Sequence, residues 1–162
     1  MQHAYVERLV DLLDPGANLI LNMSVEDARE RVGTGEPEAV RAIDGQFALI
    51  HKRGTTIRMA RSIGRPMRYF LAKRAEGPCL VVAERIDEIR EFLRREGLDG
   101  QFHPSYTRMV PAHYIVELAL IGCPDPNPKN VRFLTPEPNL LSTDLDEVGR
   151  ACLLYTSDAA DE

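Results

Sequence analysis

The sequence predicts an α+β fold: an antiparallel β meander packed with helices. Three observations carry that expectation. Between Gln46 and Ala83, the segments QFALIH, TTIRMAR, MRYFLAK and CLVVA are short and rich in β-formers, and the turn-prone pieces KRG, GRP and AEGP separate them. Stretches with helical apolar spacing flank this block on both sides. The composition, 44% hydrophobic and 28% charged over 162 residues, suits a chain that buries one core, or one domain and the beginning of another.

Taken in order, Val6, Leu9, Val10 and Leu13 recur at helical spacing in MQHAYVERLVDLLD, and Pro15-Gly16 ends that run, so an amphipathic helix is expected at the start. Asn18 to Met23 reads as a short strand. Ser24 with Asp27 three residues on resembles a capping box and opens a helix ending near Gly33. Pro37 suits the first turn of another short helix that stops before Asp44-Gly45. The four meander strands follow. Gly64-Arg65-Pro66 is read as a turn, with the arginines beside it at strand ends or on the face opposite the apolar one. Ile57 and Met59 alternate with Arg58, as a half-buried strand requires. In RIDEIREFLRREG, Ile86, Ile89 and Leu93 share a helical face, Asp87 and Glu88 occupy the first turn, Arg94 and Arg95 the last, and Gly97 is the stop. HYIVELALIG is a further strand. Five of the 11 prolines lie between Pro124 and Pro138, which predicts a linker with one short strand, VRFL, inside it. STDLDEVGRA begins a helix.

The formal charge of −5 gives no reason to expect nucleic acid or an anionic membrane as partner. No apolar run approaches the ~18–20 residues that span a bilayer. The charged residues Glu7, Arg8, Asp11 and Asp14 distinguish the start from a signal peptide, so a cytoplasmic location is expected. Cys79, Cys123 and Cys152 form no CxxC pair, which argues against a disulfide framework or a cysteine zinc site.

From Gly45 to Ala75 there is no Asp or Glu, while Lys52, Arg53, Arg58, Arg61, Arg65, Arg68, Lys73 and Arg74 all fall there. A convergent set of these cations could hold phosphate or carboxylate; the other reading is a solvated strand face offset by acidic helices. His3, His51, His103 and His113 show no metal-ligand spacing and read as structural or surface residues. Cys79 begins an apolar strand and reads as a buried small hydrophobe. Cys123 has no nearby base. GxxxxGK[ST], GxGxxG and GxSxG are absent, so the residues by themselves designate no catalytic group and no metal ligand.

Two resemblances add to this reading. Cys152 to Glu162, CLLYTSDAADE, resembles the translation of an adapter used in sequencing libraries; a genuine acidic terminus is the alternative. Without Asp158, Asp161 and Glu162 the formal charge becomes −5 + 3 = −2. Residues 38–118 resemble the second half of the amidotransferase domain of asparagine synthetases. The family reads L-D-G-x-F-A, then A-R-D-x-x-G-x-x-P-L-Y-Y, then F-A-S-E-x-K-A-L, then P-x-G. Ile43-Asp44-Gly45-Gln46-Phe47-Ala48 fits the first element. Ala60-Arg61-Ser62 with Gly64, Pro66, Met67 and Tyr69 fits the second with gaps shifted by about a residue. Val82-Ala83-Glu84 fits the third, and Val110-Pro111-Ala112-His113 the fourth.

The resemblance implies a truncated N-terminal-nucleophile-hydrolase-like sheet domain over residues 1–121. A Pro-rich linker over 122–141 and the start of a synthetase domain at 142–151 would follow, with 152–162 as the adapter. Departures from the family are as informative. Gln2 stands where the family carries its nucleophilic cysteine, Ser62 replaces the Asp of A-R-D, and the R-H-R-G-P-D and N-G-E-I-Y-N segments have no counterpart. The expected function is therefore the amino-terminal, non-glutaminase domain of an ATP-dependent amide-forming ligase. ATP and magnesium would serve the synthetase domain, which is also the expected partner in cis and the site of the small-molecule substrates. The alternatives are a stand-alone binding or scaffold module and a piece of a β-lactam-synthetase-like ligase. On the resemblance, Arg61, Arg65 and Glu84 are candidate interdomain or anion contacts, and an exposed apolar patch is expected where the synthetase domain docks.

Overall fold

The computed structural model describes residues 8–73, 79–119, 128–136 and 142–150. It is an α+β arrangement of largely antiparallel sheets with few helices, laid out in four layers. One sheet has the order β1 (Arg8–Asp11), β7 (Cys79–Ala83), β6 (Arg68–Ala72), β8 (Arg108–Met109). The other runs β10 (Lys129–Arg132), β9 (Tyr114–Ala119), β5 (Thr56–Arg61), β4 (Ala48–Arg53). Their facing sides share one core: Ala48, Ile50, Ile57, Met59, Val116 and Leu118 from the second meet Met67, Tyr69, Leu80, Val82 and Val110 from the first and its neighbourhood.

Strand alternation then builds the outer layers. Phe47, Leu49, Ala60 and Ile115 point away from the central core, where α1 (Val25–Thr34) and α2 (Pro37–Arg41) cover them with Ala28, Val32 and Val40. On the opposite side, Phe70, Ala72, Cys79, Val81 and Ala83 meet Ile89 and Leu93 of α3 (Ile86–Arg95). Burying each large side chain in these cores contributes about 1.5–3 kcal/mol.

Most elements lie where the sequence places them. Ser24 caps α1 by accepting from Asp27 N at 3.0 Å, and Gly35, at φ 76°, closes it. Pro37 opens α2. In α3, the Glu88 carboxylate accepts from Arg85 N at 3.1 Å, and Gly97 follows the last turn at φ 69°. The expected VRFL strand is β10, displaced toward Lys129; Phe133 behind it is buried, so this part of the proline-rich stretch is tied to the sheet. Residues 145–150 are helical. The AEGP turn, Cys123, Cys152 and the adapter-like tail lie outside the described residues.

Three expectations are corrected. The described part of the first segment is not a helix but β1, parallel to β7 with Arg8 opposite Cys79 and Asp11 opposite Val82. Leu9 and Leu13 pack on the inter-sheet core, whereas Val10 and Leu12 pack on the α3 side. A strand apolar on both faces places hydrophobes at spacings that a helix also satisfies, and the tertiary contacts decide between them.

The four strands, secondly, are not one meander. They form two hairpins, β4–β5 and β6–β7, in different sheets. The second neighbour of β5 is β9, with Arg58 opposite Glu117. Ser62 to Met67 carries the chain between sheets, and Pro66 has no N–H for a ladder between β5 and β6.

Asn18 to Met23, lastly, contributes only the two-residue β2 (Leu19–Ile20), paired with β3 (Gly45–Gln46). At φ 124°, a Cβ on Gly45 would lie 2.0 Å from Leu19 O, so glycine alone permits this approach.

Candidate functional site

The last residue of β5, Arg61, turns its side chain under the following loop and is only 8% exposed. Its Nε donates to Val110 O at 2.5 Å, and its Nη1 to Ser62 O at 3.2 Å, Arg65 O at 3.2 Å and Ile63 O at 3.5 Å. Burial, and then the nearby Arg68, lower its pKa. Backbone carbonyls supply the compensation that a buried guanidinium needs. The effect is a clamp that fixes the Ser62–Arg65 turn to the end of β8.

Arg65 is also buried, at 7% exposed. Its Nη2 pairs with the Glu84 carboxylate and donates to Asp14 O at 3.3 Å, while its Nε finds no partner among the described residues. The three candidates from sequence therefore divide. Arg65 and Glu84 meet directly, and Arg61 spends its donors on the loop that carries Arg65. Three of the other cations of the acid-free stretch are taken elsewhere or lie apart. Arg58 binds Glu117 at 2.7 Å and caps α1 through Gly33 O at 2.6 Å, and Lys52 and Arg53 sit at the β4–β5 turn. Arg74 lies outside the described residues.

Beside the clamp opens a cleft of about 250 Å³ lined by Arg41, Ile43, Gln46, Phe47, Ser62, Ile63, Gly64, His113, Phe133 and Leu134, together with Gly45. Phe47 and Phe133 face one another with ring centroids 6.2 Å apart, and His113 meets Phe133 edge-on at 6.1 Å. His113 sits at φ 65°, left-handed for a residue with a side chain. In that conformation its N–H reaches Arg61 O at 3.2 Å and its carbonyl accepts from Phe133 N at 3.0 Å.

Ser62 Oγ accepts from Phe47 N at 3.0 Å and donates to Phe47 O at 3.4 Å. It shares no hydrogen bond with His113, so the cleft assembles no serine–histidine pair. Cys79 is 1% exposed in the α3-side core, away from the cleft. Among the described residues, no group of three His, Cys, Asp or Glu side chains is placed to hold a metal ion. An apolar floor with polar groups at its edge suits binding.

Sequence reasoning did not single out Arg41, Gln46, His113 or Phe133 as cleft residues. His113 offered a signal in Pro111-Ala112-His113, a short break before a strand; Arg41 offered none. Large exposed apolar residues do occur: Leu19, Leu21, Ile63, Tyr106, Met109 and Leu145. Of these, Ile63 is 77% exposed and borders the cleft.

The segments singled out in the sequence interlock at this end of the sandwich. Ser62 and Phe47 exchange hydrogen bonds, with Ser62 N donating to Phe47 O at 2.9 Å; Arg65 pairs with Glu84; Arg61 donates to Val110 O; and His113 N donates to Arg61 O. No helix among the described residues is long and apolar enough to cross a membrane. The chain matches no family model, no curated protein and no solved structure.

Proposed function

We propose that this chain is the amino-terminal, non-glutaminase domain of an asparagine-synthetase-like ligase, with a reduced N-terminal-nucleophile-hydrolase-like fold. One observation carries the reading. Four segments that resemble that family's amidotransferase motifs, far apart in sequence, contact one another through Phe47–Ser62, Arg65–Glu84, Arg61–Val110 and His113–Arg61. Four-layer packing around two facing sheets supports it as well.

On this reading the chemistry belongs to a synthetase domain outside these residues. ATP and magnesium there adenylate a carboxylate, and an amine displaces AMP to form an amide. With Ser62 where the family carries the Asp of A-R-D and Cys79 buried in the α3-side core, the amine is free ammonia or a small-molecule amine and not one released from glutamine. The clamp of Arg61, Arg65 and Glu84 holds the turn that borders the domain contact, and the enzyme works in the cytoplasm.

The test is to read the natural gene beyond Arg150 from unfragmented source DNA and to express what it encodes. The expected result is an S-G-G-x-D-S segment and carboxylate-dependent exchange of pyrophosphate into ATP. A reading frame that closes near Arg150 without such a segment overturns the proposal in favour of a stand-alone binding module.

A further inference from the structure

The Arg41 side chain has no ion pair or hydrogen bond to any described residue, a state it shares with Arg31, Arg53 and Arg68, but it is the arginine that lines the cleft. It stands at the rim of a cleft whose floor is Ile43, Phe47, Phe133 and Leu134. Gln46 and His113 line the same space; neither side chain hydrogen-bonds a described residue, and the His113 ring rests edge-on against Phe133. A mostly apolar cavity with a few convergent polar groups is the usual form of a small-molecule site. Its volume, about 250 Å³, lies just under the range for drug-sized ligands and favours a compact molecule. The left-handed backbone of His113 is a sparsely populated conformation, of the kind that collects at ligand sites. Glu38 and Asp44, the acids nearest in sequence, are exposed and do not line the cleft.

We infer that this cleft binds a small monocarboxylate with an apolar, aromatic-sized body, the carboxylate on Arg41 and the body against Ile63 and the cleft-facing edges of Phe47 and Phe133. A guanidinium fork matches a carboxylate with two parallel N–H···O bonds, which an ammonium or amide cannot reproduce. Gln46 and His113 supply further polar contacts at the edge. This site is independent of the ligase reading, because it uses only residues of this domain and no chemistry of the next.

The experiment is a ¹H–¹⁵N NMR titration of the whole chain with 3-phenylpropionate, its neutral analogue 3-phenylpropanamide, and L-glutamine. Saturable shifts at Gly45, Ile63, Gly64 and His113 are expected with the acid. Arg41→Gln, at an exposed position, should weaken the acid about tenfold and leave the amide unchanged, the effect of losing one charge-assisted pair. Gly64→Leu should fill the cleft and abolish both; its Cβ meets only the end of the flexible Gln46 side chain, at 2.7 Å. If that variant fails to fold, Arg41→Gln still decides. No saturation by about 10 mM acid, the range of the weakest specific ligands, overturns the site. So does an equal loss of acid and amide in Arg41→Gln, a folded Gly64→Leu that still binds, or L-glutamine binding as tightly as the acid.

Discussion

Arg61 has traded solvent for carbonyl oxygens, and that exchange sets its energetic role. Removing the guanidinium would take the donor from Val110 O and Arg65 O, and leave Ser62 O with only the 3.4 Å bond from Arg65 N. Arg61→Met is therefore expected to destabilise the fold by about 3 kcal/mol in urea unfolding, since each orphaned buried polar group costs about 1–3 kcal/mol. Arg61→Lys should recover less than half, because an ammonium cannot present a planar fork to four acceptors. A loss below about 1 kcal/mol would mean that water reaches those carbonyls, and the clamp would be dispensable. Arg65 and Glu84 call for a double-mutant cycle with Arg65→Met and Glu84→Gln. A coupling of about 1–3 kcal/mol is expected for a directly contacting, largely buried pair; additive effects would show that the contact carries no energy. The place of Arg65 in a turn, and of Arg61 at the strand end before it, was readable from Gly64 and Pro66. Their burial was not, because the groups that receive them, Val110 O and Glu84, are remote in sequence. For the same reason Arg41 left no trace in the sequence: what marks it is its place beside Phe47 and Phe133, which only the fold brings together.

At the scale of elements, local chemistry was readable wherever it was self-contained. Ser24 with Asp27, Pro37, and the charge order of α3 specify helix ends through contacts within four residues, and those helices form as expected. The first segment was misread because its hydrophobes serve two faces of an edge strand. Its strand state predicts that Val10→Pro breaks the ladder to β7 and costs about 3 kcal/mol or more, whereas a surface helix there would tolerate disruption through fraying. Loss of stability under about 1 kcal/mol in a thermal or urea melt would argue that β1 is not paired in solution. The end of α1 offers a second test. Gly35 at φ 76° leaves room for Arg58, whose Nε would lie 2.6 Å from an added Cβ. Gly35→Ala should cost about 1–3 kcal/mol, combining a left-handed backbone with displacement of the cap that Arg58 gives to Gly33 O. A neutral substitution would mean that the Arg58 cap forms without constraint from Gly35.

For the molecule as a whole, the strands stated more than the meander expectation used. FALI and CLVVA are apolar at consecutive positions, the pattern of strands covered on both faces, and such strands require layers on either side. Phe47 and Leu49 face the helices α1 and α2, while Ala48 and Ile50 face the other sheet. What periodicity could not supply was which hairpin joined which sheet, because that depends on β9, a strand more than fifty residues beyond β5. The layering also bears on chemistry. Glutamine hydrolysis by an amidotransferase needs an accessible cysteine thiolate with a base beside it. Cys79 lies within β7 under Ile89 and Leu93, 1% exposed, where neither glutamine nor water can approach its sulfur. Purified protein is therefore expected to release no glutamate from glutamine above the rate in buffer, and Cys79→Ala should leave that background unchanged. Cys123, outside the described residues, belongs in the same assay as Cys123→Ala. Measurable turnover abolished by either substitution would place a working nucleophile in this chain and end the non-glutaminase reading. A background unmoved by both leaves the domain to what its geometry supports, a packed support with a ligand-sized cleft beside the Arg61 clamp.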